Sequence, residues 1–389
     1  MAAGGRPSDR PGPGAAASLF LNNYRGGGIG DFGASVLAHL RAAGVAIADE
    51  ETRPDGVGLS GQLRRLRSVP GTLITNVGLT AWGPSGLRNY RGFRSIGRRP
   101  RRGGPTIALV HHAIEMIDLA EAGYPVSRLV RWGAHRALAW LRECDIVVFS
   151  PRLGQLLRDG YGARSVWVTP IPSAAPRRMP ERTGGWRVLN VGYFAPYKGI
   201  DEFLGVAELL RDRAEFSLVG RPHRVLSERA EFGAAVRTWT ERAASARVAM
   251  PGFLPSDELD RLMSGRTIGV LPYTSSSGAS ASFGLFAERG VPVIASDLPE
   301  FRFLQECGAG IVLAPAHAKE LATAVRGLLD DPSAWSELAR RQAEFAKGHD
   351  WAGFVRELVA RFPTLRPPNS AVPGAHPMDA HGLSLESPR

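Results

Sequence analysis

Twice along this chain, short apolar runs of strand length alternate with stretches patterned for helices, and a polar segment separates the two series. That alternation is restrictive. A strand followed by a helix and another strand returns as a parallel neighbour, and parallel strands need helices over both faces. In the first series strands are expected at Ser18 to Asn22, Thr72 to Asn76, Thr106 to His111, Ile146 to Ser150 and Ser165 to Thr169. A helix follows the first strand, with Phe32, Val36, Leu37 and Leu40 on one face, and further helices fit Val126 to Glu143 and Arg152 to Asp159.

The segment "SAAPRRMPERTGG", Ser173 to Gly185, has the composition of a linker. Beyond it the second series places strands at Arg187 to Val191, Phe216 to Val219, Val248 to Met250, Ile268 to Pro272, Val293 to Ser296 and Gly310 to Leu313. Helices fit Ser256 to Met263, where Asp257 and Glu258 occupy the first turn, and Lys319 to Leu329. The expected fold is α/β: two Rossmann-like doubly wound domains facing each other across a cleft, with ligands at the carboxyl ends of the strands. The divisions read as 18–172, a linker at 173–185, a second domain at 186–349 and a last helix at 350–363. The ends, 1–17 and 364–389, are rich in Gly, Pro, Ala and Ser and read as disordered tails.

With two cysteines, Cys144 and Cys307, a disulfide framework is not expected, and no apolar run is long enough for a membrane span. A cytoplasmic protein is the reading. The formal charge of +11 is unevenly placed: from Ser18 to Pro172 there are 20 arginines against 11 carboxylates. Seven of those arginines, Arg88, Arg91, Arg94, Arg98, Arg99, Arg101 and Arg102, crowd a segment broken by Gly and Pro, which reads as a loop. Nucleic acid, an anionic membrane surface or a phosphorylated acceptor would suit it, and so would plain solvent. No nucleic-acid reading module accompanies the loop, so nucleic acid is not the favoured partner.

Three stretches carry chemistry. "YRGGGIGD", Tyr24 to Asp31, leaves the first strand and enters a helix; Gly28 and Gly30 are among the glycines that let backbone approach a ligand there. A nicotinamide fingerprint is disfavoured, because the acidic ribose partner after the second strand is missing. "NVGYFAPYKGIDEFL" follows the strand Arg187 to Val191 and contains Lys198, one of three lysines in a chain that otherwise uses arginine. A compact ammonium beside a Gly-rich turn suits a diphosphate. "SSSGAS", Ser275 to Ser280, offers hydroxyls and backbone N–H groups at a helix start, again suited to a phosphate.

The order of these motifs resembles the retaining nucleotide-sugar glycosyltransferases of family 4, which have the GT-B fold, over about Ser18 to Pro363. In the first half the resemblance rests on the glycine loop, "IALVHHAIE" and "CDIVVFSPRLGQLL". In the second it rests on "NVGYFAPYKGIDEFLGVAELL", "FSLVG", "VAMPGFLPSDELDRLM", "IGVLPYTSSSGAS" and "GVPVIASDLPEFRFLQECGAGIVLAP". It implies transfer of a hexose-type sugar from a nucleotide diphosphate sugar to an acceptor hydroxyl with retention, in the biosynthesis of a glycan, glycolipid or glycosylated metabolite. No cofactor and no metal are expected.

By the same resemblance Lys198 holds the diphosphate, while Tyr193 stands where an arginine is usual. The base rests near Gly252, Phe253 and Leu254, the diphosphate on the turn Ser276, Ser277, Gly278, Ala279 and Ser280, and His111 faces the donor sugar. His111 and Lys198 are the expected catalytic residues. The family's two glutamates, eight positions apart, fall on Ser277 and Leu285, so both carboxylates are replaced. Glu288, one helical turn beyond Leu285, is the candidate substitute at the ribose. The acceptor is expected to be phosphorylated or lipid-linked, with peripheral contact at the inner face of the membrane through Arg88 to Arg102. Two other readings stay open: a nucleotide-sugar epimerase of the same fold, and a catalytically silent nucleotide-sugar-binding protein.

Overall fold

A computed structural model describes residues 18–22, 28–51, 59–66, 70–76, 104–111, 132, 139–177, 179, 184–222, 230–275 and 279–366. The arginine segment Arg88 to Arg102, Ser276, Ser277, Gly278 and residues 1–17 and 367–389 of the two expected tails lie outside the described residues. The start of the second tail is instead ordered, Pro363–Leu365 forming a 3₁₀ turn that buries Leu365 in the first domain's core.

The first domain is a six-stranded parallel sheet of β1 (Ser18–Asn22), β2 (Ile47–Glu51), β3 (Leu73–Asn76), β4 (Thr106–Val110), β5 (Asp145–Val148) and β6 (Ser165–Val168), in the spatial order β2-β1-β3-β4-β5-β6. The second holds β7 (Arg187–Val191), β8 (Glu215–Val219), β9 (Val248–Gly252), β10 (Thr267–Leu271), β11 (Val293–Ser296) and β12 (Ile311–Ala314), in the order β12-β11-β10-β7-β8-β9. β1, β7 and β10 are buried along their whole length, as strands covered by helices on both faces must be.

Strand order reverses once in each sheet. In the first it does so between β1 and β3, and in the second between β7 and β10. Diverging connections open a crevice at the carboxyl ends of such a pair.

Helices in the first domain are α1 (Gly28–Ala42), α2 (Leu59–Leu66) and α3 (Pro151–Tyr161). Ser150 accepts a hydrogen bond from Leu153 N (3.3 Å) to start α3, Pro151 begins it, and Gly162 at φ 66° ends it. Of the helix expected over Val126 to Glu143, Ala139–Glu143 forms a 3₁₀ turn instead, burying Trp140 and Leu141. The second domain carries α4 (Ile200–Leu210), α5 (Ala230–Ser245), α6 (Ser256–Met263), α7 (Ala281–Ala287), α8 (Pro299–Glu306), α9 (Ala318–Asp330) and α10 (Pro332–Gly348).

The last helix, α11 (Trp351–Arg361), belongs to the first domain by packing. Asp350 caps it, accepting from Gly353 N at 2.6 Å, and Phe354, Val355 and Leu358 enter the cluster of Phe20, Phe32, Val36 and Ile74. Phe354 stacks flat on Trp167, with centroids 5.6 Å apart. The chain crosses back where Ser173 forms a parallel bridge to Asp350, so linker and return strand are tied side by side.

Candidate functional site

The carboxyl ends of the two sheets meet. Ser150, just past β5, lies 3.4 Å from the Glu300 carboxylate, in the first turn of α8 beyond β11, and Ala279 packs against the cluster shared by α1 and α11. Each reversal point therefore opens toward the junction between the domains.

At the reversal of the first sheet two buried asparagines face each other. Asn76, ending β3, donates to Asn22 Oδ1 (2.8 Å), ending β1, and to Ile29 O (2.7 Å); Asn22 donates to Gly30 O (3.0 Å). His111 Nε2 lies 2.7 Å from Asn76 Oδ1. Because that oxygen only accepts, Nε2 carries the proton. Phe32 meets the imidazole edge to face at 4.7 Å. A Cβ at Gly33 would sit 1.9 Å from Asn22 Oδ1 and 2.2 Å from Asn76 Nδ2, so the asparagine pair needs a glycine opposite it. The helix begins at Gly28, which places Gly28 and Gly30 in the first turn of α1 instead of in the loop read from sequence. Their amides belong to the orphan N–H groups of a helix start.

At the reversal of the second sheet stands Lys198. Pro196–Lys198 form one 3₁₀ turn, and Gly199 then adopts φ 64° so closely against β10's end that a Cβ would lie 1.8 Å from Pro272 O. The Lys198 ammonium donates to Tyr273 Oη (2.6 Å) and lies 3.9 Å from that ring's centroid. Tyr273 Oη shares a 2.9 Å hydrogen bond with Ser280 Oγ, and Ser280 caps α7 by accepting from Phe283 N (3.3 Å).

Burial opposes the charge on Lys198, but Tyr273 and Tyr197 counter it and the net direction is upward. The phenol's own burial works against its ionisation; Lys198, Ser280 and Ser282 prevail and draw it below the ordinary tyrosine range. The pair is an ammonium held by a polarised phenol, beside a capped helix start.

A third group lies one strand over. Tyr193, Arg221 and Phe253 follow β7, β8 and β9, with Tyr193 about half exposed at 49% and Phe253 largely exposed at 73%. Leu254, expected near a base, is instead partly buried against the core below β10. Glu288 does not join any of these groups. It sits at the C-terminal end of α7, 10% exposed, with its carboxylate paired to Arg289 and 3.6 Å from Arg177 Nε; Arg289 in turn holds Asp260 at 2.7 Å. That network fixes α7 against α6, and it engages the carboxylate proposed for the ribose. Leu285 packs into the same core.

The structure thus gathers Lys198 and Ser280 through Tyr273 at one reversal point and His111, Gly28 and Gly30 at the other, while Tyr193 stands with Arg221 and Phe253. Sequence reading missed Tyr273, Asn22, Asn76, Gly33 and Arg221. Among the described residues no cluster of three or more His, Cys, Asp or Glu side chains is disposed to hold a metal ion.

Two doubly wound parallel domains, meeting at the carboxyl ends of their strands and tied by a returning C-terminal helix, constitute the GT-B fold. Within it, residues 185–331 match the family described as Glycosyl transferases group 1. Solved structures with the same architecture include HepE of Anabaena in complex with UDP, at 12% identity and a TM-score of 0.65, covering 90% of this chain and 100% of that one. Sucrose-phosphate synthase from Thermosynechococcus elongatus is similar at 18% identity and a TM-score of 0.66, covering 90% and 99%. A glycosyltransferase from Rickettsia africae is similar at 11% identity and 0.64, covering 91% and 99%. No curated protein matches the sequence.

Proposed function

We propose that this protein transfers a hexose-type sugar from a nucleoside diphosphate sugar to an acceptor hydroxyl, with retention at the anomeric carbon. The observation that carries the reading is Lys198 at the β7/β10 reversal, inside the segment that matches group 1 glycosyl transferases. As the anomeric bond breaks, negative charge grows on the departing diphosphate. A cation fixed in place by Tyr273, beside the start of α7, meets that charge without reorganising.

The opposite reversal supplies the sugar side. Asn76 holds His111 with its Nε2 proton inward, so the imidazole is fixed in one tautomer and orientation. In this reading an acceptor hydroxyl attacks from the face of the leaving group, and a diphosphate oxygen takes its proton. No protein nucleophile is required for that route, so replacement of the family carboxylates by Ser277 and Leu285 alters sugar selection more than it forbids transfer.

The HepE neighbour binds UDP and, in other crystals, UDP with glucose or UDP-glucose, which supports a nucleotide sugar as the donor class. The test is release of nucleoside diphosphate from a panel of nucleotide sugars, with and without candidate acceptors. Lys198→Ala should lower the rate about 100-fold, the usual cost of one leaving-group donor, with the melting transition retained. An unchanged rate removes Lys198 from the chemistry. Release of free diphosphate together with an inverted sugar would replace transfer by the epimerase reading.

A further inference from the structure

Three successive strands of the second domain end in the same way. β7 runs into Val191-Gly192-Tyr193, β8 into Val219-Gly220-Arg221, and β9 into Pro251-Gly252-Phe253. Each glycine has positive φ, at 138°, 139° and 81°. The turns are stitched together by backbone: Gly192 N donates to Val219 O, Gly220 N to Gly252 O and Phe194 N to Arg221 O, each at 2.9 Å. Contact is close enough that a Cβ on Gly220 would lie 1.8 Å from Gly192 O. The repeated turn presents the next side chain of each strand at one place.

What it presents is a guanidinium between two aromatic rings. Arg221 Cζ lies 5.6 Å from the Tyr193 centroid and 5.8 Å from that of Phe253, and Nη2 donates to Tyr193 Oη at 3.4 Å. Both rings are among the most exposed large apolar side chains of the described residues. Arg221 is itself exposed and forms no salt bridge among those residues. A guanidinium has five donors, and one weak hydrogen bond leaves most of them for a ligand. Apolar ring faces kept in water beside an unneutralised cation suit a molecule that is both flat and anionic. Tyr193 stands five positions before Lys198 in the segment that leaves β7, one of the two strands of the reversal.

We infer that Arg221, held between Tyr193 and Phe253, binds a phosphate oxygen of the donor nucleotide, whose base the family resemblance already places at Phe253. The inference rests on the donor-site reading and adds to it a residue that lies in a different loop from Lys198. Tyr193 is the platform on which the guanidinium is set, so the loop's aromatic residue serves the cation without touching the phosphate.

The experiment is calorimetric titration of the full chain with UDP, GDP, ADP and dTDP, then with the nucleoside of whichever diphosphate binds tightest. Arg221→Gln should weaken that diphosphate roughly 10- to 100-fold, as loss of a charge-assisted hydrogen bond does, and leave the nucleoside unchanged. Arg221→Lys should recover little, because the stacked planar fork is lost. Phe253→Ala should weaken diphosphate and nucleoside alike. All three side chains are at the surface, so melting temperatures should match the parent and show that folding is intact. Equal diphosphate affinity in parent and Arg221→Gln overturns this inference alone, as does a loss that is equal for nucleoside and diphosphate. No binding of any of the four diphosphates by the parent overturns the donor-site reading and this inference with it.

Discussion

Lys198 and Tyr273 show how one partly buried hydrogen bond sets the state of two groups. With its pKa raised, Lys198 contributes stability that is complete below the ordinary lysine value and is lost as pH rises through the raised one. Tyr273, with its pKa lowered, contributes stability that is complete above the ordinary tyrosine value of about 10 and is lost as pH falls through the lowered one. The ammonium–phenolate pair therefore exists in the window between the lowered tyrosine value and the raised lysine value. Of the seven tyrosines, Tyr273 should be among the first to ionise in an ultraviolet titration. That early component should vanish in Tyr273→Phe and move upward in Lys198→Met. Gly33 carries a second prediction. Gly33→Ala drives a Cβ into the Asn22–Asn76 pair, so it should cost about 1–3 kcal/mol in denaturant unfolding, as overpacking does, and disturb His111 through Asn76. Lys198 was legible because lysine is rare in this chain. The asparagine pair was not, since 54 residues separate its members and nothing local marks them.

Strands were read from sequence to the extent that burial made them apolar. Ser18–Asn22, Arg187–Val191, Ser256–Met263 and Val293–Ser296 form with the expected bounds, and the other expected strands shift by one or two residues at an end. β2 escaped notice because "IADEE" has no apolar run: it is the edge strand of its sheet and its outer positions face water. α2, α4, α5, α8 and α10 are not among the helices expected from sequence, whereas α6, as polar overall as α2, is marked by Ser256, Asp257 and Glu258 at its start. α11 was the clearest success, since Trp351, Phe354, Leu358 and the following Phe362 repeat at helical spacing and all four meet the first domain's core. Truncation before Trp351 removes that face and should sharply reduce soluble, folded protein. Truncation after Pro368 should leave the melting temperature unchanged. Equal losses from both would show that α11 does not hold the first domain.

At the scale of the molecule, two sheets with one reversal each are joined so that their crevices open on one junction. Four connections secure it: the Ser173–Asp350 bridge, α11 on α1, Ser150 beside Glu300, and Ala279 against the first domain's cluster. The two-domain α/β plan was legible from the double alternation and the linker composition. Which side chains meet across the junction was not, because that depends on how two folded bodies pack. The arginine-rich segment Arg88 to Arg102 lies in sequence between β3 and β4 of the first domain, and we propose that it draws a phosphorylated or lipid-linked acceptor. Each cation near an anionic surface contributes about 1 kcal/mol. Changing Arg98, Arg99, Arg101 and Arg102 to Gln should weaken binding to vesicles containing phosphatidylserine and leave nucleotide binding unaltered. Absence of vesicle binding at low salt in the parent protein removes the membrane from the proposal.

The central claim is that the β7/β10 reversal binds a nucleotide diphosphate sugar, and donor binding can be measured without knowing the acceptor. Thermal unfolding with saturating UDP-, GDP-, ADP- and dTDP-sugars reads it most directly, because a ligand bound only to the native state at 100 times its Kd adds about 2.7 kcal/mol of stability. The account predicts that at least one donor raises the melting temperature by several degrees and that Lys198→Ala abolishes most of the rise. A protein whose melting temperature no nucleotide sugar shifts, or whose shift survives intact in Lys198→Ala, contradicts it.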